Sequence, residues 1–123
     1  NRLVDMTKEG PNTISVGLAT KSQTIRERRE VALNFMRGYV EAYEVMQSNP
    51  DLAIQALANY SGITDPEELK KTYETYKDTF PPMPLISEEQ MQEAAKTVPD
   101  FPEGTDLSRF YDNSLLEEIQ REK

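Results

Sequence analysis

Apolar positions along this chain recur at two spacings, and the change from one to the other falls near Lys21. Ahead of it, Thr13-Ile14-Ser15-Val16-Gly17-Leu18-Ala19-Thr20 alternates polar or small residues with Ile14, Val16 and Leu18, the period of a strand with one buried face. Arg2-Leu3-Val4-Asp5-Met6 offers a second, shorter strand, closed by the turn residues Glu9-Gly10-Pro11-Asn12. Beyond Lys21 the spacing is helical. From Ser22 to Gln47, Ile25, Ala32, Met36, Tyr39, Tyr43 and Met46 recur at steps of three, four or seven and make one stripe, widened by Phe35, Val40 and Ala42. The run from Ile25 to Glu30 is highly charged, so a short leading turn that ends near Arg28 or an exposed first section is expected, with the helix proper beginning near Arg29.

Helix starts and stops are then spelled out by local chemistry. Asn49-Pro50-Asp51 combines a side chain that accepts from an orphan amide, a proline that needs no amide partner, and an acid at the positive helix end. That helix is predicted to reach Tyr60, with Gly62 as its left-handed stop. Asp65-Pro66-Glu67-Glu68 restarts in the same way, Asp65 and Glu68 at capping-box spacing, and Leu69, Tyr73, Tyr76 and Phe80 form its stripe. Pro81, Pro82 and Pro84 end it and hold the next segment extended. Ser87 and Gln90 make a further capping box, with Ile86 and Met91 placed for a hydrophobic staple and an end at Val98 before Pro99. Residues 99–105 read as loop, 106–111 as a single turn, and Asn113-Ser114 as the cap of a last helix whose apolar side carries Leu115, Leu116 and Ile119.

The pattern therefore predicts a mainly α chain, about five helices after one or two short N-terminal β-strands. It is divided into short strands over 1–20, helices over 21–98, and a loop with a C-terminal helix over 99–123. Its 123 residues suit one domain, but only 37% fall in the hydrophobic class, which is low for a self-sufficient core. That shortage, with an opening Asn1, leads us to expect a piece of a larger protein. The net charge of −8 sets a long-range field against phosphate backbones, so nucleic acid is not an expected partner. No stretch has the apolar length of a membrane span. Zero Cys and zero His remove thiol chemistry and the commonest general base and metal ligand, and neither metal nor cofactor is expected.

Several residues invite a chemical reading. The turn Thr20-Lys21-Ser22-Gln23-Thr24 follows a strand pattern and opens a helix, a geometry whose free amides suit an anionic group; equally, Ser22 or Thr24 simply caps that helix. Arg26, Arg28 and Arg29 could grip an oxyanion, but Glu27 and Glu30 cancel much of their field, and local ion pairs on a solvated face explain them. Tyr39 and Tyr43 share one helical stripe and Tyr73 and Tyr76 another, favouring core packing with a wet hydroxyl over ligand stacking. Tyr111 stands beside Asp112 in the late loop, where positioning the tail and touching a ligand are both open. The neighbouring pairs Glu88-Glu89 and Glu117-Glu118 point about 100° apart on a helix and do not converge for acid-base work.

Taken in order, Val16-Gly17-Leu18-Ala19-Thr20, the segment Ala32 to Ala42 around Phe35 and Met36, Ser48-Asn49-Pro50-Asp51-Leu52-Ala53 and Phe110-Tyr111-Asp112-Asn113-Ser114 resemble the C-terminal part of a known family. It is that of the ABC-importer solute-binding proteins for sulfonates, taurine, nitrate and thiamine pyrimidines, and the likeness runs over nearly the whole chain. The resemblance implies the C-terminal portion of an α/β, two-lobed type II periplasmic-binding fold, with the strand at Ile14 to Ala19 returning between lobes and most of the cleft lying in a preceding part. It further implies non-catalytic capture of a small organic ligand (a sulfonate, nitrate, a pyrimidine-like or an aromatic compound), delivery to an ABC permease, and a periplasmic or extracellular location, as a lipoprotein in some forms. Thr20, Ser22 and Tyr111 are the residues expected nearest the ligand. Two alternatives stand beside it: an independent helical interaction domain, and the C-terminal part of a pyrimidine-synthase-like enzyme whose histidine and cysteine chemistry would have to come from elsewhere. A piece with uncovered apolar stripes could also pair with itself, by packing or by exchanging its first strand.

Overall fold

A computed structural model describes residues 10, 14 and 16–123. Six α-helices and one 3₁₀ turn occur among them: α1 (Ser22–Glu27), α2 (Arg29–Ser48), α3 (Pro50–Ser61), α4 (Pro66–Tyr76), α5 (Glu88–Lys96), η1 (Leu107–Phe110) and α6 (Ser114–Glu122). The chain is thus mainly helical. There is no strand among the described residues. Residues 16–20 are irregular and open to solvent, with Val16 84% and Leu18 58% exposed, so the alternation there does not mark a buried face. A strand needs a neighbouring edge to complete its hydrogen bonds, and the described residues offer none. The candidate strand at 2–6, together with Thr13 and Ser15, lies outside the described residues. No described helix is long and apolar enough to cross a membrane.

The chain, expected as a single unit, divides by its contacts into two compact ones, the first made of 1–32 with 85–123 and the second of 33–84. In the second, α3 and α4 pack on each other. Their starts follow the local rules: Asn49 accepts from the Leu52 amide at 3.2 Å with Pro50 behind it, and Asp65 accepts from the Glu67 and Glu68 amides at 2.8 and 2.9 Å. Gly62 ends α3 at φ 73° and donates its amide to the Ala58 carbonyl at 2.9 Å, the αL stop that a β-carbon would strain. Leu33, Val40, Leu69 and Tyr73 are this unit's buried apolar residues.

The α2 stripe lies where its pattern predicts, with Ala32, Met36, Tyr39, Tyr43 and Met46 all half-buried. Its flank differs: Leu33 and Val40 are the buried positions, and Phe35 is 63% exposed. Leu33 and Phe35 stand about 200° apart on the helix, and periodicity alone does not rank two large apolar residues on either side of a stripe.

In the first unit, Leu115, Leu116 and Ile119 bury the inner side of α6, as their spacing predicts. The capping box of α5 forms in full, Ser87 Oγ accepting from the Gln90 amide at 3.1 Å and Gln90 Oε1 from the Ser87 amide at 3.0 Å. Asn113 does not cap α6. Its side-chain amide instead grips the backbone of Ile86, accepting from the Ile86 amide at 3.0 Å and donating to the Ile86 carbonyl at 2.8 Å. The capping bond falls to Asp112, whose Oδ1 accepts from the Ser114 amide at 2.8 Å.

Candidate functional site

Thr20, Lys21 and Ser22 are all exposed, and α1, which they open, has only six residues. Lys21 occupies the cap position, and no side chain caps the helix, so the capping role open to Ser22 or Thr24 is not taken up. Tyr111 follows η1 in extended backbone, at φ −142° and ψ 160°, with its side chain half-buried. Among the described residues no hydrogen bond or ion pair joins Tyr111 to Thr20 or Ser22.

The arginine run separates into two roles. Arg26 and Arg28 are exposed. Arg29 reaches from the start of α2 to α6, donating from Nε and Nη2 to Glu118 Oε2 at 3.1 and 2.6 Å, and to the Ser114 carbonyl at 3.4 Å. Both side chains of this bridge stay more than a third exposed, so screening by water holds its contribution to about 0–1 kcal/mol. Hydrogen bonds from the Ser114 hydroxyl and amide, with the Arg29 charge beyond them, hold the Asp112 carboxyl below the usual carboxylate range. This cluster ties the residue run Tyr111 to Ser114 to the helices around it. It presents bonded groups, which suits positioning better than ligand capture.

The most developed concavity lies within the second unit. It is an apolar groove of about 680 Å³ between the C-terminal half of α2, α3 and α4. Ala42, Ala53 and Ala56 keep it open because their side chains stop at Cβ, while Val45, Leu52 and Leu57 supply aliphatic walls. Tyr73, Tyr76 and Phe80 bring three rings to the same lining. The volume falls in the range of small-molecule sites, roughly 300–1,000 Å³.

Its polar groups are largely spoken for. The Tyr73 hydroxyl donates to the Met46 carbonyl at 2.9 Å, satisfying one of the orphan carbonyls at the end of α2, so it is not the wet hydroxyl expected from sequence. Gln47 Nε2 donates to the Lys77 carbonyl at 2.6 Å. Lys77 Nζ is paired with Glu74 at 2.7 Å and lies 5.9 Å from the Tyr73 ring centre. The bond to Glu74, followed by its charge, raises Lys77 above the ordinary lysine value. Burial, then neighbouring Tyr43, raises the Tyr39 phenol in the same unit. Thr72 adds a half-buried hydroxyl to the lining.

The sequence pattern places the α4 residues of this groove in one core stripe and Ala42 and Met46 in another, and leaves the α3 wall unassigned. The available signal was the spacing of Leu52, Ala53, Ala56 and Leu57 on α3, one helical face that alternates large and very small side chains. A second, smaller pocket of about 260 Å³ in the first unit is lined by α5 and the loop before η1, including Lys96, Phe101 and Thr105. Phe101 is braced there by Phe110, ring centres 6.1 Å apart. No protein-family model matches the chain, and no match was found among curated proteins or solved structures.

Proposed function

We propose that this chain is the C-terminal scaffold of a solute-binding protein serving an ABC importer, and that it helps capture a small solute without transforming it. The observation that carries the reading is the order of helix starts. The Asn-Pro start of α3 and the Asp112-Ser114 turn before α6 form as capped structure at residues that bear the family likeness, with the capped Asp-Pro start of α4 between them in the order of elements.

Two further features support it. Val16 and Leu18 alternate as a strand would and stand exposed, which leaves them open to sheet partners from a larger lobe. The helices carry exposed apolar residues outside the groove, such as Val31 and Phe35, that a complete lobe would cover. In this reading the protein works in the periplasm or outside the cell and hands its solute to a permease. Thr20, Ser22 and Tyr111 remain the residues proposed nearest the solute. An enzymatic role of the pyrimidine-synthase kind would need histidine and cysteine, and the chain has neither. The apolar groove gives the helical interaction domain its one favourable observation, since partner helices use such surfaces.

Uptake separates these readings. Cells of the source organism lacking this coding sequence are expected to lose import of one labelled solute among a sulfonate, nitrate, a pyrimidine and an aromatic acid, and to regain it when the sequence is restored. Unchanged uptake of all four would overturn the importer reading.

A further inference from the structure

We infer that the groove between α2, α3 and α4 is a binding site for an uncharged, ring-bearing small molecule with few hydrogen-bonding groups. The inference rests on the groove's own chemistry and not on the importer reading. Its lining is almost wholly apolar, and its volume of about 680 Å³ has room for a molecule of two or three rings. The rings of Tyr73, Tyr76 and Phe80 offer offset or edge-on contacts to another aromatic system.

Charge decides between ligand classes. The one ionisable cation of the lining, Lys77, is already neutralised by Glu74 at 2.7 Å, and Asp78 follows it in the chain. An anionic ligand would have to displace Glu74 and then enter a unit in which acidic residues outnumber basic ones. A cationic ligand would find no carboxylate on the lining and would exchange part of its water for apolar contacts with alanine, valine and leucine side chains. The Tyr73 hydroxyl is committed to the Met46 carbonyl, which leaves the hydroxyls of half-buried Thr72 and exposed Tyr76 as the lining groups that could meet a polar atom of the ligand. Uncharged and poor in polar groups is the class left by this inventory.

The test is fluorescence titration of the 123-residue chain with N-phenyl-1-naphthylamine, a neutral two-ring probe, beside its anionic relative 8-anilinonaphthalene-1-sulfonate. The neutral probe is expected to bind saturably at one site per chain and at least tenfold more tightly than the anion. Ala56→Phe fills the groove from an exposed helix position and should weaken the neutral probe at least tenfold while leaving the helical circular dichroism unchanged. Should that variant misfold, Ala56→Met makes the same test with a flexible side chain. Lys71→Met, at an exposed α4 position outside the lining, should change the neutral probe's affinity less than twofold. Non-saturable binding, preference for the anion, insensitivity to both Ala56 variants, or loss of binding in Lys71→Met would each overturn the inference. So would a chain that dimerises through this face at the probe's working concentration, because a second copy would then be the occupant.

Discussion

Replacing Asn113 with alanine removes both halves of the grip on Ile86, and the cost can be worked from the two bonds. The Ile86 amide donates to Asn113 Oδ1 at 3.0 Å, and Asn113 Nδ2 donates to the Ile86 carbonyl at 2.8 Å, in partly buried surroundings. A neutral hydrogen bond contributes about 0.5–1.5 kcal/mol net, so the pair is expected to cost about 1–3 kcal/mol on truncation. Because the α6 capping bond is made by Asp112, no separate capping loss is added. Urea unfolding followed by circular dichroism reads this directly. With a slope of about 2 kcal/mol per molar, the midpoint should fall by roughly 0.5–1.5 M. Asn49→Ala is the internal comparison, since it removes one exposed N-cap bond at 3.2 Å and should cost about 1 kcal/mol. Asn113→Asp keeps an acceptor for the Ile86 amide but turns a carboxylate toward the Ile86 carbonyl, and should be no milder than the alanine variant. An Asn113→Ala midpoint shifted by less than 0.2 M, roughly 0.4 kcal/mol at that slope, would refute the reasoning.

Three other expectations follow from burial, backbone and charge. Leu33 is fully enclosed, so Leu33→Ala should cost about 2–5 kcal/mol, while Phe35→Ala at a 63% exposed position should stay within about 0.5 kcal/mol; thermal melts of the pair would reverse the order if Phe35 widened the stripe as the sequence pattern has it. Gly62→Ala places a β-carbon at φ 73° and should cost about 1–2 kcal/mol by strain alone, whereas Gly38→Ala, inside α2 with open space around it, should stabilise by about 0.5–1 kcal/mol in the same chemical unfolding assay. The folded-state pKa of Asp112 lies below its unfolded value, so its contribution is present above the unfolded pKa and is lost as the pH falls through the depressed one. Melting temperatures between pH 5 and pH 2 should therefore fall less steeply in Asp112→Asn than in the parent.

Legibility in the sequence followed the range of the interaction that decides each feature. The caps at Asn49, Asp65 and Ser87, the Gly62 stop and the short turn ahead of Arg29 depend on residues within a few positions of one another, and they formed where the residues predict. The α6 face was legible for the same reason, since Leu115, Leu116 and Ile119 fall on one side of a single helix. Asn113 was misplaced because its competing partner, Ile86, lies 27 residues away and leaves no local trace. Arg29 was assigned to a solvated face for the same reason, its acceptor being 89 residues on. The α3 wall of the groove escaped because alanine at 53 and 56 reads as ordinary helix former until three helices are brought together around it. Period-two alternation at Ile14, Val16 and Leu18 describes a capacity to pair, and pairing depends on an edge supplied from outside the segment.

The central claim is that this protein captures a small solute and leaves it chemically intact. It is tested by mass spectrometry of small molecules released by heat from the protein as its source organism makes it, purified after incubation with a sulfonate, nitrate, a pyrimidine and an aromatic acid in turn. One of these solutes should be recovered, unaltered and at no more than one equivalent per protein. Recovery of a transformed product, or of no small molecule after incubation at saturating solute, would contradict the claim.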